Sequence, residues 1–182
     1  MSFEVWPEAI ELGRLFADEG YELALVGGPV RDMLLHRRSH DLDFCTSARP
    51  EQFEPILRRW GRDGFWDMGR KFGTLGAMRR RADGTEVQVE VTTYRSDVYD
   101  PDSRKPEVSY GDTLEGDLSR RDFTVNAMAL RVPDLEFVDP FGGANDLAKG
   151  VLRTPVDPRQ SFDDDPLRMM RAVRFVAQLG FR

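Results

Sequence analysis

Two aspartates one residue apart, Asp41 and Asp43, are the first candidates for chemistry in this chain. The segment His40-Asp41-Leu42-Asp43-Phe44-Cys45 alternates polar and apolar residues, which predicts a strand. A strand places residues two apart on one face. Paired carboxylates repel each other unless a cation lies between them, and magnesium is commonly held by one or two carboxylates together with substrate phosphates. A solvated strand face carrying two acids would give the same pair. Just upstream, Val26-Gly27-Gly28-Pro29-Val30-Arg31-Asp32 reads as a strand, a glycine turn and a helix start. Gly27 and Gly28 would let the backbone approach a phosphate, the helix N-terminus would favour an anion, and Arg31 would neutralise the same group. An ordinary strand-to-helix turn has the same sequence. Glu90, in Val89-Glu90-Val91-Thr92-Thr93-Tyr94-Arg95, is a third carboxylate, with Glu86 as the alternative and a solvated outward position as the plain reading. Three carboxylates would let two magnesium ions bridge an attacking hydroxyl and a nucleotide triphosphate.

Two further constellations are polar enough to bind a nucleotide. Asp117-Leu118-Ser119-Arg120-Arg121-Asp122 brings two arginines and a carboxylate, Asp122, to a helix start, which suits a ribose or triphosphate clamp and equally suits helix capping. Farther on, Asp163-Asp164-Asp165-Pro166-Leu167-Arg168 opens a helix in which Asp165 and Arg168, three apart, share a face. An acceptor beside a planar donor can read the Watson–Crick edge of a base, and Arg171 and Arg174 extend that row. A capped helix with intrahelical ion pairs accounts for the same spacing, each pair contributing roughly 0.2–0.5 kcal/mol.

These groups need elements to position them. Pro7 starts a helix that Gly20 closes, with Ile10, Leu12, Leu15 and Phe16 as apolar positions. Leu23 to Val26 is a buried strand, Pro29 to Leu35 a short helix, and Pro50 to Trp60 a helix stopped by Gly61. Phe65 to Met68 and Thr74 to Arg79 are strands, and a turn at Ala82-Asp83-Gly84 leads into an alternating strand over Glu86 to Arg95. Residues 96 to 113 read as a long mobile loop. A helix over Phe123 to Leu130, a strand over Glu136 to Val138, a turn at Gly142-Gly143 and a helix over Pro166 to Leu179 complete the pass. The pattern predicts an α+β fold, a small mixed sheet backed by helices, with a head over 1–140 and the start of a truncated helical neck over 141–182.

At 182 residues there is room for one full domain and the beginning of a second. A net charge of −6 argues against gripping long duplexes by phosphate neutralisation, but not against handling one nucleotide and one RNA end. Cys45 is the single cysteine, which excludes an intrachain disulfide and a cysteine-rich metal site. The apolar runs are too short to span a bilayer, and the first residues lack the basic start and apolar stretch of a signal peptide, so a cytoplasmic protein with no membrane partner is expected. The oligomeric state is left open.

Taken together, the motifs from about Leu25 to Phe175 resemble the class II tRNA nucleotidyltransferase and poly(A) polymerase family, within the polymerase-β-like superfamily. Leu25 to Asp32 with Asp41-Leu42-Asp43 resembles its metal and triphosphate motif, and Arg120 to Met128 its ribose-recognition motif, which carries over to Arg121 and Asp122. Asp164-Asp165-Pro166-Leu167-Arg168 resembles the amino-acid template that pairs with the incoming base, with Asp164 standing where the family usually has Glu. The resemblance implies a polymerase-β-like head. It implies Asp41 and Asp43 as metal ligands for Mg2+, and Asp165 and Arg168 as base readers. Arg171 and Arg174 would line the nucleotide or RNA path. Gly69-Arg70-Lys71-Phe72-Gly73-Thr74 and the loop after Arg95 are similar to the CCA-adding members, which implies addition of CCA to a tRNA 3′ end from CTP and ATP. Polyadenylation, CC-only or A-only addition, and a catalytically silent nucleotide- or RNA-binding module are the alternatives.

Overall fold

Leu23–Val26 is buried at all four positions, so it needs a neighbour on each side and cover on both faces. The computed structural model, which describes residues 4–37, 41–96 and 109–181, shows how the chain supplies them. In order, the elements are α1 (Pro7–Asp18), β1 (Leu23–Val26), α2 (Gly28–Leu34), β2 (Asp41–Thr46), α3 (Pro50–Trp60), β3 (Gly64–Trp66), β4 (Thr74–Arg80) and β5 (Glu86–Thr93). A short pair, β6 (Arg95–Ser96) and β7 (Ser109–Tyr110), precedes α4 (Leu114–Ser119). Then come β8 (Ala129–Val132), β9 (Glu136–Val138), α5 (Gly143–Lys149), α6 (Pro158–Asp164) and α7 (Leu167–Leu179). Among the described residues no helix is long and apolar enough to cross a membrane.

Seven strands form one mixed sheet in the order β3-β4-β5-β2-β1-β8-β9. Every pairing in it is antiparallel except β2 with β5, which run parallel at the centre. One face is covered by α1 to α3. On it, Leu12, Phe16, Phe53, Leu57 and Trp60 pack against Leu42, Phe44, Val89 and Val91. Gly13 brings α1 down onto β8, because a Cβ there would meet Val132 at 2.8 Å. The opposite face is covered over only part of its width, where Leu114 and Leu118 of α4 lie on Ala24, Val26, Cys45 and Ala129. The uncovered remainder is where Asp43 and Glu90 stand.

Several expectations need correction. The helix expected over Phe123 to Leu130 is a short 3-10 turn, Thr124–Asn126, followed by β8, which completes the outer side of β1. Residues 122–130 are buried throughout, so no alternation marks the strand, and the pairing requirement of β1 outweighs local helix preference. Gly142-Gly143 does not merely turn: Gly142 adopts φ 72° and Gly143 opens α5. A Cβ on Gly143 would collide with the Thr124 carbonyl, so glycine is what lets α5 sit on the 3-10 turn. Within the expected loop over 96–113, residues 109–113 carry β7 and the Thr113 cap of α4, and 97–108 lie outside the described residues, as do 38–40 at the start of the second strand.

The sheet rim is tied to α1 by charge. Arg81 stacks on Trp6 at 4.3 Å and pairs with Glu8, and that hydrogen bond holds the Glu8 carboxyl below its ordinary 4.5. A depressed carboxyl contributes stability above its unfolded pKa and loses it as pH falls through the folded value. Glu8→Gln is therefore expected to lower stability by on the order of 1 kcal/mol near neutrality, with the difference from the parent closing as pH falls through the folded value of Glu8. Thermal melting at stepped pH measures this, and a gap that persists unchanged in acid contradicts it.

Candidate active site

The register of the parallel pair sets the site. Asp41 lies opposite Gln88 and Asp43 opposite Glu90, while Leu42, Phe44, Val89 and Val91 turn into the core. Asp41, Asp43 and Glu90 therefore share the open face. A cavity of about 480 Å³ lies over it, within the usual range for small-ligand sites. Its wall includes Gly27, Gly28, Asp43, Glu90, Arg121, Asp122, Asp165, Arg168 and Arg171. Asp41 continues the same strand face but lies outside the cavity lining. A second cavity of similar size, between Trp6, Pro29 and Met33, is mostly apolar and has no facing carboxylates on one sheet face.

The electrostatics of Asp43 fit a cation. Burial pushes its carboxyl up, Glu90 and Asp41 push it farther, and Arg121 opposes them. A divalent ion would relieve that repulsion. Among the described residues no three His, Cys, Asp or Glu side chains gather to hold a metal by themselves. The donor set is thus an oxygen pair that would need phosphates to complete it, which suits magnesium.

Above the acids, Gly27 takes φ 72°, a backbone that favours glycine, and a Cβ there would come within 3.1 Å of Arg121 Nη1. Gly28 begins α2 beside it. Arg31 lies outside the cavity lining. It is only 6% exposed, its Nη1 donates to Asn126 Oδ1 at 2.8 Å, its Nε and Nη2 donate to Asp32, and it faces the Phe175 ring. Burial and these acceptors turn it into a brace under the cavity. Asn126, which does line the cavity, passes the brace on by donating to Asp122 Oδ1.

Asp117 organises the next wall. Its Oδ2 accepts from Arg121 Nη2 at 3.0 Å and its Oδ1 accepts the Arg95 amide at 3.2 Å. Burial works most strongly against the Arg121 charge, yet Asp117, Cys45 and Asp43 together outweigh it and raise the guanidinium above its ordinary value. Asp122, 6% exposed, accepts from its neighbour Phe123 N and forms an ion pair with Arg171 Nη2 at 2.8 Å. Asp122 and Arg171 thereby join the 3-10 turn to α7.

Asp165 and Arg168 do not share a helical face as their spacing implies. Asp165 is extended, with φ −145° and ψ 95°, and its Oδ1 accepts the Leu167 amide, because Pro166 ends α6 and starts α7. Arg168 is buried and directed across the junction: Nη1 donates to Ser161 Oγ and Ser161 O, and Nη2 donates to the Arg120 carbonyl. Both residues still border the cavity. Arg174 does not; it is exposed and lies over Phe175. Residues missed by sequence reasoning as site residues are Thr92, Arg95, Asp117 and Asn126, all on the cavity wall. Arg95 Nη2 donates to Thr74 Oγ1, itself 2.8 Å from Thr92 Oγ1, a relay that only strand register reveals.

Comparison with known proteins follows the same lines. Residues 23–153 match the poly A polymerase head domain family. The CCA-adding enzyme of Bacillus subtilis (strain 168) is 38% identical over 179 residues, 98% of this chain and 42% of that protein. The crystal structure of the Bacillus stearothermophilus CCA-adding enzyme in complex with CTP aligns with a TM-score of 0.81 at 37% identity, covering 97% of this chain and 41% of that one. The Thermotoga maritima CCA-adding enzyme complexed with tRNA-CCA gives 0.76 at 30% identity, over 98% of this chain and 40% of that one. This chain spans less than half the length of the relatives it matches.

Removing Asp117 would strand a guanidinium and an amide at once. Asp117→Ala is expected to cost about 2–4 kcal/mol in urea unfolding. A loss under about 0.5 kcal/mol, within the range of ordinary surface substitutions, contradicts its organising role.

Proposed function

We propose, for a chain that belongs to the poly A polymerase head domain family, that it transfers nucleotides from CTP and ATP to a tRNA 3′ end, completing CCA. The observation that carries this reading is the convergence in one cavity of Asp43 and Glu90, the Gly27-Gly28 turn, and the Arg121 and Arg168 walls. The likeness to CCA-adding enzymes, one with CTP and one with tRNA, supports the choice of substrate. The division into a head over 1–140 and the start of a neck over 141–182 belongs to this reading, as does a cytoplasmic setting, where CTP, ATP and tRNA are met.

In the reaction, the RNA 3′ oxygen bonds to the α-phosphorus, the bond from that phosphorus to its bridging oxygen breaks, and pyrophosphate leaves. Asp41 and Asp43, with Glu90 beside them, would hold divalent cations, Mg2+ in this reading, which supply charge neutralisation at the attacking and departing oxygens when bound. The Gly27-Gly28 backbone at the start of α2 lies where it can approach the triphosphate, and Arg121 adds a fixed positive charge over Gly27. Asp122 and Arg171 present a ribose-side acceptor and donor. Asp165, through its second carboxylate oxygen, and Arg168, through the N–H groups not engaged by Ser161 and Arg120, face the base edge. Because Ser161 and Arg120 fix the Arg168 guanidinium, the donor pattern is preset, which favours one base edge over another.

Incubation with Mg2+, labelled CTP and ATP, and tRNA ending at the discriminator base, in C or in CC, tests the reading; ordered addition of C, C and A is expected. Long runs of A alone would move the assignment to a poly(A) polymerase, and nucleotide binding without incorporation would favour a silent module. Asp41→Ala or Asp43→Ala is expected to lower incorporation at least about a hundredfold while the melting temperature holds. Near-parent turnover in both variants would remove the acids from the mechanism. Arg168→Ala is expected to erase most of the CTP-over-UTP preference, by about 1–3 kcal/mol; an unchanged preference rejects it as a base reader.

A further inference from the structure

The edge of the sheet carries a feature that nucleotide binding leaves unused. Register aligns four residues in one row across four strands: Trp66 of β3 opposite Gly76 of β4, Gly76 opposite Glu90 of β5, and Glu90 opposite Asp43 of β2. Gly76 is the gap in that row. A Cβ on it would overlap the Trp66 indole, so the ring lies flat across the β4 backbone and spans the strand between its own and that of Glu90. At the far end of the ring, Nε1–H donates to Glu90 Oε1 at 3.4 Å, a long bond but the one side-chain hydrogen bond given to that carboxylate among the described residues. Trp66 itself lies outside the cavity lining, so it reaches the site through Glu90 rather than by touching a nucleotide.

We propose that Trp66 is a positioning residue for Glu90, with the Trp66–Gly76 stack holding the carboxylate beside Asp43 and so shaping the cation site. The physical need is plain. Like charges on adjacent strands drive flexible side chains apart, and Asp43 stands directly opposite Glu90. A glutamate has three rotatable bonds and would swing toward solvent unless something restrains it. A rigid indole resting on bare backbone restrains it at little conformational cost, and its N–H gives the carboxylate a fixed partner. The inference rests on the proposed function, specifically on Glu90 serving the cation site.

The test is the Mg2+ dependence of CTP binding to the 182-residue chain by calorimetry, with melting temperatures recorded in parallel. Trp66→Phe keeps an aromatic ring and removes the donor. It is expected to raise the Mg2+ concentration at half-effect by about three- to tenfold, with the melting temperature changed by only a few degrees. Gly76→Ala, which displaces the ring and leaves its chemistry intact, is expected to shift the midpoint the same way. In a Glu90→Gln background, Trp66→Phe is expected to add nothing. A parent-like midpoint in Trp66→Phe, beside a shifted midpoint in Glu90→Gln, overturns the role of Trp66 and leaves that of Glu90 standing. The same holds if Trp66→Phe shifts the midpoint equally in the Glu90→Gln background. A parent-like midpoint in Glu90→Gln, or no Mg2+-dependent CTP binding by the parent chain, overturns the reading of the site beneath it.

Discussion

Asp43 and Glu90 stand opposite each other on parallel neighbouring strands, and the sheet gives them no freedom to separate. Alternation along β2 and β5 sends Leu42, Phe44, Val89 and Val91 into the core, so a slip of one residue would bury the acids and expose the apolar set. The core therefore locks the acids in place. Glu90 raises the cost of ionising Asp43, and the arrangement is stable because Arg121 lies close by and water or a cation can enter from the open face. Fold stability thus maintains an electrostatic tension at one spot on the sheet.

The rest of the site is arranged around that spot by buried polar braces. Arg31, Asn126 and Asp122 form one chain of hydrogen bonds beneath the cavity, and Asp122 meets Arg171 of α7. Asp117 fixes Arg121 and the Arg95 backbone, and Arg168 crosses from α7 to Ser161 of α6 and the Arg120 carbonyl. The sheet, the 3-10 turn and the last two helices are therefore coupled by polar contacts converging on one cavity. Each brace limits rotation of a side chain at or beside the cavity, which is how a small domain can present a preset pattern of donors and acceptors.

Particular residues show what could be read without coordinates. Strands β1, β2 and β5 were legible because a short apolar run or strict alternation has one reading beside glycine turns, and the shared face of Asp41 and Asp43 follows from strand geometry alone. Ala129–Val132 was not, since three of its four residues are buried and blur its periodicity, and its strand state comes from the unpaired edge of β1. The short helices α4, α5 and α6 depend on caps at Thr113 and Asp157 and on tertiary contacts, not on long amphipathic patterns. Charge was visible at Arg31 and Arg168, but not the destination of the side chain. Asn126 and Ser161, distant in sequence, decide that. Pro166 carried the information that Asp165 stands before a new helix, and spacing by helical turns overrode it.

The central claim is that Asp41 and Asp43 gather divalent cations against the phosphates of a nucleotide seated at the glycine turn. A crystal structure of the chain with CTP and Mn2+, using the anomalous signal of manganese, tests it most directly. The account predicts manganese in contact with Asp43 and with triphosphate oxygens, and the phosphates lying over Gly27 and Gly28. Ordered CTP elsewhere on the protein, or CTP in the cavity with manganese bound away from both aspartates, would contradict it.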